Sequence, residues 1–326
     1  MKRVKVGLAS ITPINRKASI SSINRKGLSK AENANLLAKP SKKSENLPIR
    51  RSKLRRHLVN AIRNQLFEVY YQPKISLKDD TCAQFEALVR WNDPELGNVS
   101  PALFIPVAED LGLIDEITLI VIERVTAALC HWQGHRLPVE SVAINISACH
   151  FDEPECAERL FQKLLEASRR TSALELELTE TAVLTNPELA REYMQKLHDG
   201  GFSIALDDFG TGYSSLGYLM DLPISSIKLD QSFVRGLLSS SRCTAIVRSL
   251  VELASVLDVK VVAEGIETRE QARLLKTIGC DFGQGYYFSK ALPESAVAEY
   301  MHMRKAHGQA IMPGIYAATQ MHVANF

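Results

Sequence analysis

Residues 174–210 read LELELTETAVLTNPELAREYMQKLHDGGFSIALDDFG. Leucine and glutamate alternate over Leu174–Leu178, the period of a strand. A longer helical pattern follows over Pro187–Asp199, and Ser203–Asp207 is again short and apolar. Strand, helix, strand in that rhythm is the unit from which parallel α/β folds are built.

The rhythm repeats outward in both directions. Further strand candidates are Phe67–Ile75, Gln84–Trp91, Val142–Ile146, Ser225–Leu229, Val259–Ala263 and Gly283–Phe288. Helical stretches separate most of them, among them Cys156–Ala167, Cys243–Ser255, Arg269–Ile278 and Glu294–Met303. Eight strands so spaced predict an α/β fold of the (β/α)8 barrel type. The first two strands are joined only by Ser76–Ala83, too short for a helical crossover, so that pair is expected to be antiparallel. A doubly wound open sheet is the alternative, and the missing glycine-rich fingerprint counts against it.

The 326 residues are 46% hydrophobic and 23% charged, enough for a large soluble core. A net charge of +2 hides a division. Residues 1–56 carry 16 Lys and Arg against Glu32 and Glu45, leaving 23 basic and 35 acidic residues for the remainder. The expected organisation is therefore a disordered basic arm or linker over 1–52, a barrel over 53–305 opening with a short helix from about Lys53, and a loose tail over 306–326. The arm could touch nucleic acid or an anionic surface, although composition alone favours a solvated linker. Leu111–Leu129, interrupted by four charges, reads as an amphipathic or buried helix, so no membrane span is expected. The six cysteines form no C-x-x-C pair and no zinc pattern, which fits reduced thiols and a cytoplasmic location.

Strand after strand ends on a carboxylate or amide. Glu86, Asn145, Glu177 with Glu180, Asp207 with Asp208, Lys228 with Asp230, Glu264 with Glu267, and Gln284 follow one another along the chain. A barrel aims those ends at one face. So many like charges in one cleft repel unless a cation joins them, and oxygen ligands suit Mg2+ or Mn2+ rather than zinc. Paired aspartates fit two ions, and two hard ions ~4 Å apart serve phosphodiester hydrolysis. Lys228 is the natural partner for a nucleophile or a phosphate oxygen. Any one of these residues taken alone has a plainer reading: a helix cap for Asp207 and Asp208, solvent for Glu175 and Glu177, an ordinary ion pair for Lys228. The set taken together does not. Gly210–Ser215 lacks the Lys of a P-loop and reads as a mobile site loop.

With these residues in view, about Leu58 to Met303 resembles the EAL domain family of cyclic di-GMP phosphodiesterases. The motifs are Tyr71-Gln-Pro-Lys74, Glu86-Ala-Leu88 with Arg90-Trp91, Phe104–Glu109, Asn145-Ile-Ser147, Glu177-Leu-Thr-Glu180, Asp207–Leu216, Lys228-Leu-Asp230, Ala263–Glu267 and Gln284-Gly-Tyr286. The resemblance implies a modified TIM barrel with an antiparallel first strand, and hydrolysis of cyclic di-GMP to linear pGpG with two Mg2+ or Mn2+ ions. It implies Glu86, Asn145, Glu177, Asp207 and Asp208 as metal ligands, with Glu267 supporting them. Lys228 would orient water, Glu264 would act as general base, and Glu180 would anchor the Asp207–Leu216 loop. Gln72, Leu88, Arg90, Gln284 and Tyr286 would meet substrate. It also implies a homodimer and a sensor or regulatory partner. Two departures stand out: Lys74, where the family is often apolar, and Ala291 in place of a common proline. Neither is expected to touch the metal set. The rival classes are a cyclic di-GMP receptor and a protein-interaction module. The retention of Glu86, Asp207 and Lys228 argues against the first, and the full ligand set with Gln72 and Arg90 against the second.

Overall fold

The computed structural model describes residues 46–151, 154–210 and 219–307. The arm before residue 46, the tail after 307 and most of the Asp207–Leu216 loop lie outside the described residues.

The chain begins α1 (Asn46–Arg63), β1 (Phe67–Ser76), β2 (Cys82–Asp93), β3 (Gly97–Val99), α2 (Pro101–Asp110), α3 (Ile114–Gly134) and β4 (Ser141–Ile146). It continues α4 (Pro154–Ser168), β5 (Leu174–Thr179), α5 (Glu180–Thr185), α6 (Pro187–Asp199), β6 (Ser203–Phe209) and β7 (Ser226–Leu229). It ends α7 (Gln231–Gly236), α8 (Ser241–Val256), β8 (Lys260–Ala263), α9 (Arg269–Ile278), β9 (Phe282–Gly283), β10 (Leu292–Pro293) and α10 (Glu294–His307). Strands β2, β4, β5, β6, β7, β8 and β9 run parallel in that order. Strand β1 closes the ring, antiparallel to β2 on one side and to β9 on the other. The result is a closed barrel of eight strands, not an open sheet. The short Ser76–Ala83 connection is the reason for the reversed strand, as its length requires.

Alternation along the strands sorts two interiors. Ile144, Leu176, Ile204, Ile227 and Val261 face outward and are buried under the helices, where they join one apolar cluster with Val125, Leu164, Met194 and Val251. The opposite set, Ala143, Glu175, Glu177, Ala205, Ser226, Lys228 and Val262, fills the barrel. TIM-type barrels usually fill this space with branched aliphatics. Here small residues leave room for buried charge.

Several elements differ from expectation. Helix α1 starts at Asn46 rather than about Lys53, and from Leu54 its Leu54, His57, Leu58 and Ala61 face is buried. Helix α2 was not anticipated; Pro101 stands at its first turn, where a missing N–H costs nothing. Strand β10, which pairs with β1, was not anticipated either. The eighth barrel strand was expected to run from Gly283 to Phe288 but spans only Phe282–Gly283. Beyond it the chain folds over the segment after β8: Ile266 N–H donates to Gln284 O at 3.0 Å and Tyr287 N–H to Ile266 O at 2.9 Å. Gly285 permits this with φ +155°, and a Cβ there would lie 2.2 Å from Ile266 O.

Gly285→Ala should therefore cost about 2–4 kcal/mol, from left-handed backbone strain plus forced displacement of Ile266. Gly97→Ala, at φ +69° with open space around its Cβ, should cost only about 1 kcal/mol. Denaturant titration of the two variants checks the contrast, and equal losses would show that Gly285 is not held by that contact.

Candidate active site

The carboxylate-bearing strand ends converge as the barrel geometry requires. Gln72 of β1 and Glu86 of β2 are register partners, and Gln284 follows β9. Together with Asp207, Lys228 and Glu264 they line a cleft of about 340 Å3. Gln284 Nε2 donates to Glu86 Oε2 at 2.7 Å and to Gln72 Oε1 at 3.1 Å, and Asn145 Nδ2 donates to Glu86 Oε1 at 2.8 Å. Two amide side chains thus hold Glu86 directly, and Gln72 steadies one of them. A larger hollow of about 790 Å3 runs along α6, but its acids are interleaved with Arg191 and Lys196 and do not converge.

Neighbouring residues on a strand normally point to opposite faces. Asp207 and Asp208 escape that rule because the β6–β7 register shifts between Leu206 and Phe209, and Asp208 takes φ +55°. A bulge of this kind re-aims a side chain. It brings ligand atoms of Asp207, Asp208 and Glu264 within 4.8 Å of one another, a group that can hold a metal ion.

Lys228 is the hub. Its Nζ lies 2.8 Å from Glu177 Oε2, 2.8 Å from Glu264 Oε1, 3.2 Å from Asp207 Oδ2 and 3.4 Å from Glu86 Oε2, and the residue is 1% exposed. Burial alone would discharge such an ammonium, but Glu177, Glu86, Glu264 and Asp207 outweigh it and hold its pKa well above the usual lysine range. The acids divide. Burial, reinforced by Asp207 and Glu86, pushes the Glu264 carboxyl up to about 8 despite the nearby lysine. Burial likewise raises Glu86, with Glu177 adding to it, and Asp207 and Asp208. Glu177 alone moves the other way: burial opposes its charge, yet Lys228 and Lys74 on its two oxygens bring it to about 2.

That second lysine corrects an expectation. Lys74 is expected to touch none of the candidate metal set, but its Nζ donates to Glu177 Oε1 at 2.8 Å and to Glu175 Oε2 at 3.1 Å. Ser226 Oγ continues the chain to Glu175 Oε1 at 3.1 Å. Glu177 and Glu175, two residues apart, both face into the barrel, so neither meets solvent. Gln231 and Arg235 on α7 also line the cleft and were missed; nothing in their spacing marks them.

The remaining candidates sit as follows. Glu180, buried at the start of α5, accepts the Gly210 N–H at 3.0 Å and so holds the base of the Asp207–Leu216 loop, whose residues from 211 lie outside the described set. Arg90 lies on β2 with its guanidinium 5.7 Å from the Tyr70 ring centroid, and burial lowers its pKa against the influence of Tyr286. Tyr286 is 65% exposed at the cleft edge. Leu88, half-buried, lies opposite Tyr70 on the same strand pair. Glu267 is exposed on the cleft rim and outside the three-carboxylate group. Cys149 and His150, adjacent in sequence, do not pair with each other: His150 Nδ1 meets Ser147 O at 3.0 Å, and none of the six cysteines is in a disulfide.

Removing Lys74 strands two buried carboxylates. Lys74→Met should cost about 3–5 kcal/mol, and Glu175→Gln in that background should recover part of the loss. A double-mutant cycle by urea unfolding measures this; strictly additive losses would mean that the pair is not coupled.

Comparison with known proteins gives this geometry its relatives. A family model described as the EAL domain matches residues 55–291. A cyclic di-GMP phosphodiesterase of Pseudomonas aeruginosa is 41% identical over 229 residues, 70% of this chain and 39% of that protein. The cyclic di-GMP phosphodiesterase PdeR of Escherichia coli is 37% identical over 240 residues, 74% of this chain and 36% of that one. The chain thus spans well under half the length of these relatives. Among solved structures, the PaMucR phosphodiesterase in complex with cyclic di-GMP superposes with a TM-score of 0.71 at 33% identity, covering 75% of this chain and 99% of that one. By its matched residues, its mixed eight-stranded barrel and these likenesses, the chain belongs to the EAL domain family.

Proposed function

We propose that this chain is a metal-dependent phosphodiesterase that hydrolyses cyclic di-GMP to linear pGpG. The observation that carries the reading is the buried Lys228 ammonium ringed by Glu86, Glu177, Asp207 and Glu264, beside the bulge that adds Asp208. The names of the relatives and the cyclic di-GMP in the superposed complex support the substrate.

The residues fit two divalent ions, Mg2+ or Mn2+, because the donors are hard oxygens and the acids outnumber the lysines. Glu86, Asn145, Glu177 and Asp207 would hold one ion. Asp208, with Asp207 and, through water, Glu264, would hold the other, and Glu267 would support the cluster from the rim. Ions bound there supply positive charge that polarises a phosphoryl oxygen and acidifies water. Lys228 would position the attacking water through its ammonium, and Glu264 would accept the proton that the water gives up as its oxygen adds to phosphorus and the P–O3′ bond breaks, O3′ taking a proton from solvent to leave as the 3′-hydroxyl. Gln72, Leu88, Arg90, Gln284 and Tyr286 would seat the phosphate and guanine. Glu180 would act at one remove, by tying Gly210 and hence the Asp207–Leu216 loop. Cysteines without disulfides fit a cytoplasmic setting, and no described helix is long and apolar enough to cross a membrane. The same reading carries a homodimer and a sensor or regulatory partner, on family resemblance.

Incubation of the purified chain with cyclic di-GMP, followed by chromatography, tests the proposal. Linear pGpG should form with Mg2+ or Mn2+ and not with chelator, and Glu86→Ala should lower turnover by about a hundredfold or more. Tight nucleotide binding without turnover in any metal would instead make the chain a receptor.

The raised Glu264 pKa sets a pH dependence. Its folded value near 8 lies above the ordinary 4.5, so at neutral pH the metal-free site holds a proton that an arriving cation must displace. Affinity for Mn2+ should therefore climb by up to about tenfold per pH unit below pH 8 and then level off, with protons released on binding. Calorimetry in buffers of different ionisation enthalpy reads both quantities, and a flat profile from pH 6 to 8 would contradict the assignment.

A further inference from the structure

A second polar hollow, on the outer wall of the barrel, has the opposite charge. It lies between the β1–β2 hairpin, α9 and α10, and encloses about 60 Å3. Arg269, Arg273 and Lys276 of α9 and Arg304 of α10 line it, with Asp80 of the hairpin as its one acid. Four cations against one carboxylate stand out on a body whose acids outnumber its bases from residue 57 onward. Lys276 Nζ already lies 3.4 Å from Asp80 Oδ2, so that carboxylate cannot balance the three guanidiniums.

Arg304 is the decisive residue. Arginine on a surface is normally solvated, which would explain Arg269 and Arg273 without any ligand. Arg304 is only 8% exposed. Its Nη2 donates to the Asp80 carbonyl at 3.0 Å and its guanidinium carbon lies 5.9 Å from the Phe288 ring centroid. Its Nε is buried and has no hydrogen-bond partner among the described residues, and no carboxylate of those residues lies within 4 Å of the guanidinium. Residues 308–326, which follow it in the chain, contain no Asp or Glu. Buried charge persists where it is paired.

We propose that this hollow is a binding site for a tetrahedral oxyanion: inorganic phosphate or the terminal group of a phosphomonoester. Arginine's planar fork matches phosphate oxygens, and the flanking cations of α9 supply the remaining charge. The site is separate from the catalytic cleft, although Tyr287 and Phe288, which also line it, directly follow Gln284–Tyr286 of that cleft. The inference does not depend on the phosphodiesterase reading.

Calorimetric titration of the full chain with sodium phosphate, at constant ionic strength in chloride and with chelator present, tests it. One phosphate should bind per chain. Arg269→Gln combined with Arg273→Gln, both on the exposed face of α9, should weaken binding by about tenfold or more, while Glu86→Ala in the cleft should bind as the parent does. Ribose 5-phosphate and ribose separate the sources: a phosphomonoester site binds the first at least as tightly as phosphate and ignores the second, whereas a site for the free ion prefers phosphate. Absence of saturable binding, or a double variant that titrates like the parent, would overturn the proposal.

Discussion

Charge inside the barrel is the constraint on which the structure turns. Lys228 and Lys74 are each 1% exposed, and each is held charged only by its acids: three glutamates and Asp207 around Lys228, Glu175 and Glu177 beside Lys74. Glu177 stands between them, giving one oxygen to each. None of these groups is tolerable alone, since an unpaired buried ion costs several kcal/mol. Small neighbours such as Ala143, Ala205 and Ser226 make space for them, and the aliphatic core is displaced to the layer between strands and helices. The barrel's stability therefore rests largely outside the ring, while the ring interior is specialised for chemistry.

That division explains what could be read from the residues in advance. A strand buried on its outer face and polar within alternates, as Leu174–Leu178 does, and alternation is visible in a linear chain. The carboxylates at strand ends were visible for the same reason, because topology alone brings strand ends to one face. The reversed first strand followed from a connection too short to cross over. Each of these is a local pattern with a global consequence.

What could not be read depends on contacts that no periodicity encodes. The β6 bulge turns Asp208 to the side of Asp207, and nothing in a pair of adjacent aspartates distinguishes that from ordinary opposition. The last barrel strand is cut short because Gly285 lets the chain lie against the backbone of Ile266; the glycine is visible, but its partner is not. Lys74 looked incidental because its partners, Glu175 and Glu177, lie about a hundred residues away on a non-adjacent strand. Arg235 and Gln231 reach the cleft from a short helix that carries no motif of its own.

The two lysines also divide the labour of the site. Lys228 faces the cleft and shares its charge among four acids, so any cation entering there competes with it for the same oxygens. Lys74 lies one layer deeper, on the far oxygen of Glu177, and meets none of the other cleft acids. It can stay in place while the contacts of Lys228 rearrange. Glu177 is thereby kept ionised and fixed by a cation outside the cleft, whereas Glu264, Glu86 and Asp207, which have only Lys228, are raised by burial. A site built this way has one carboxylate held ionised from outside the cleft and several whose ionisation waits on added positive charge.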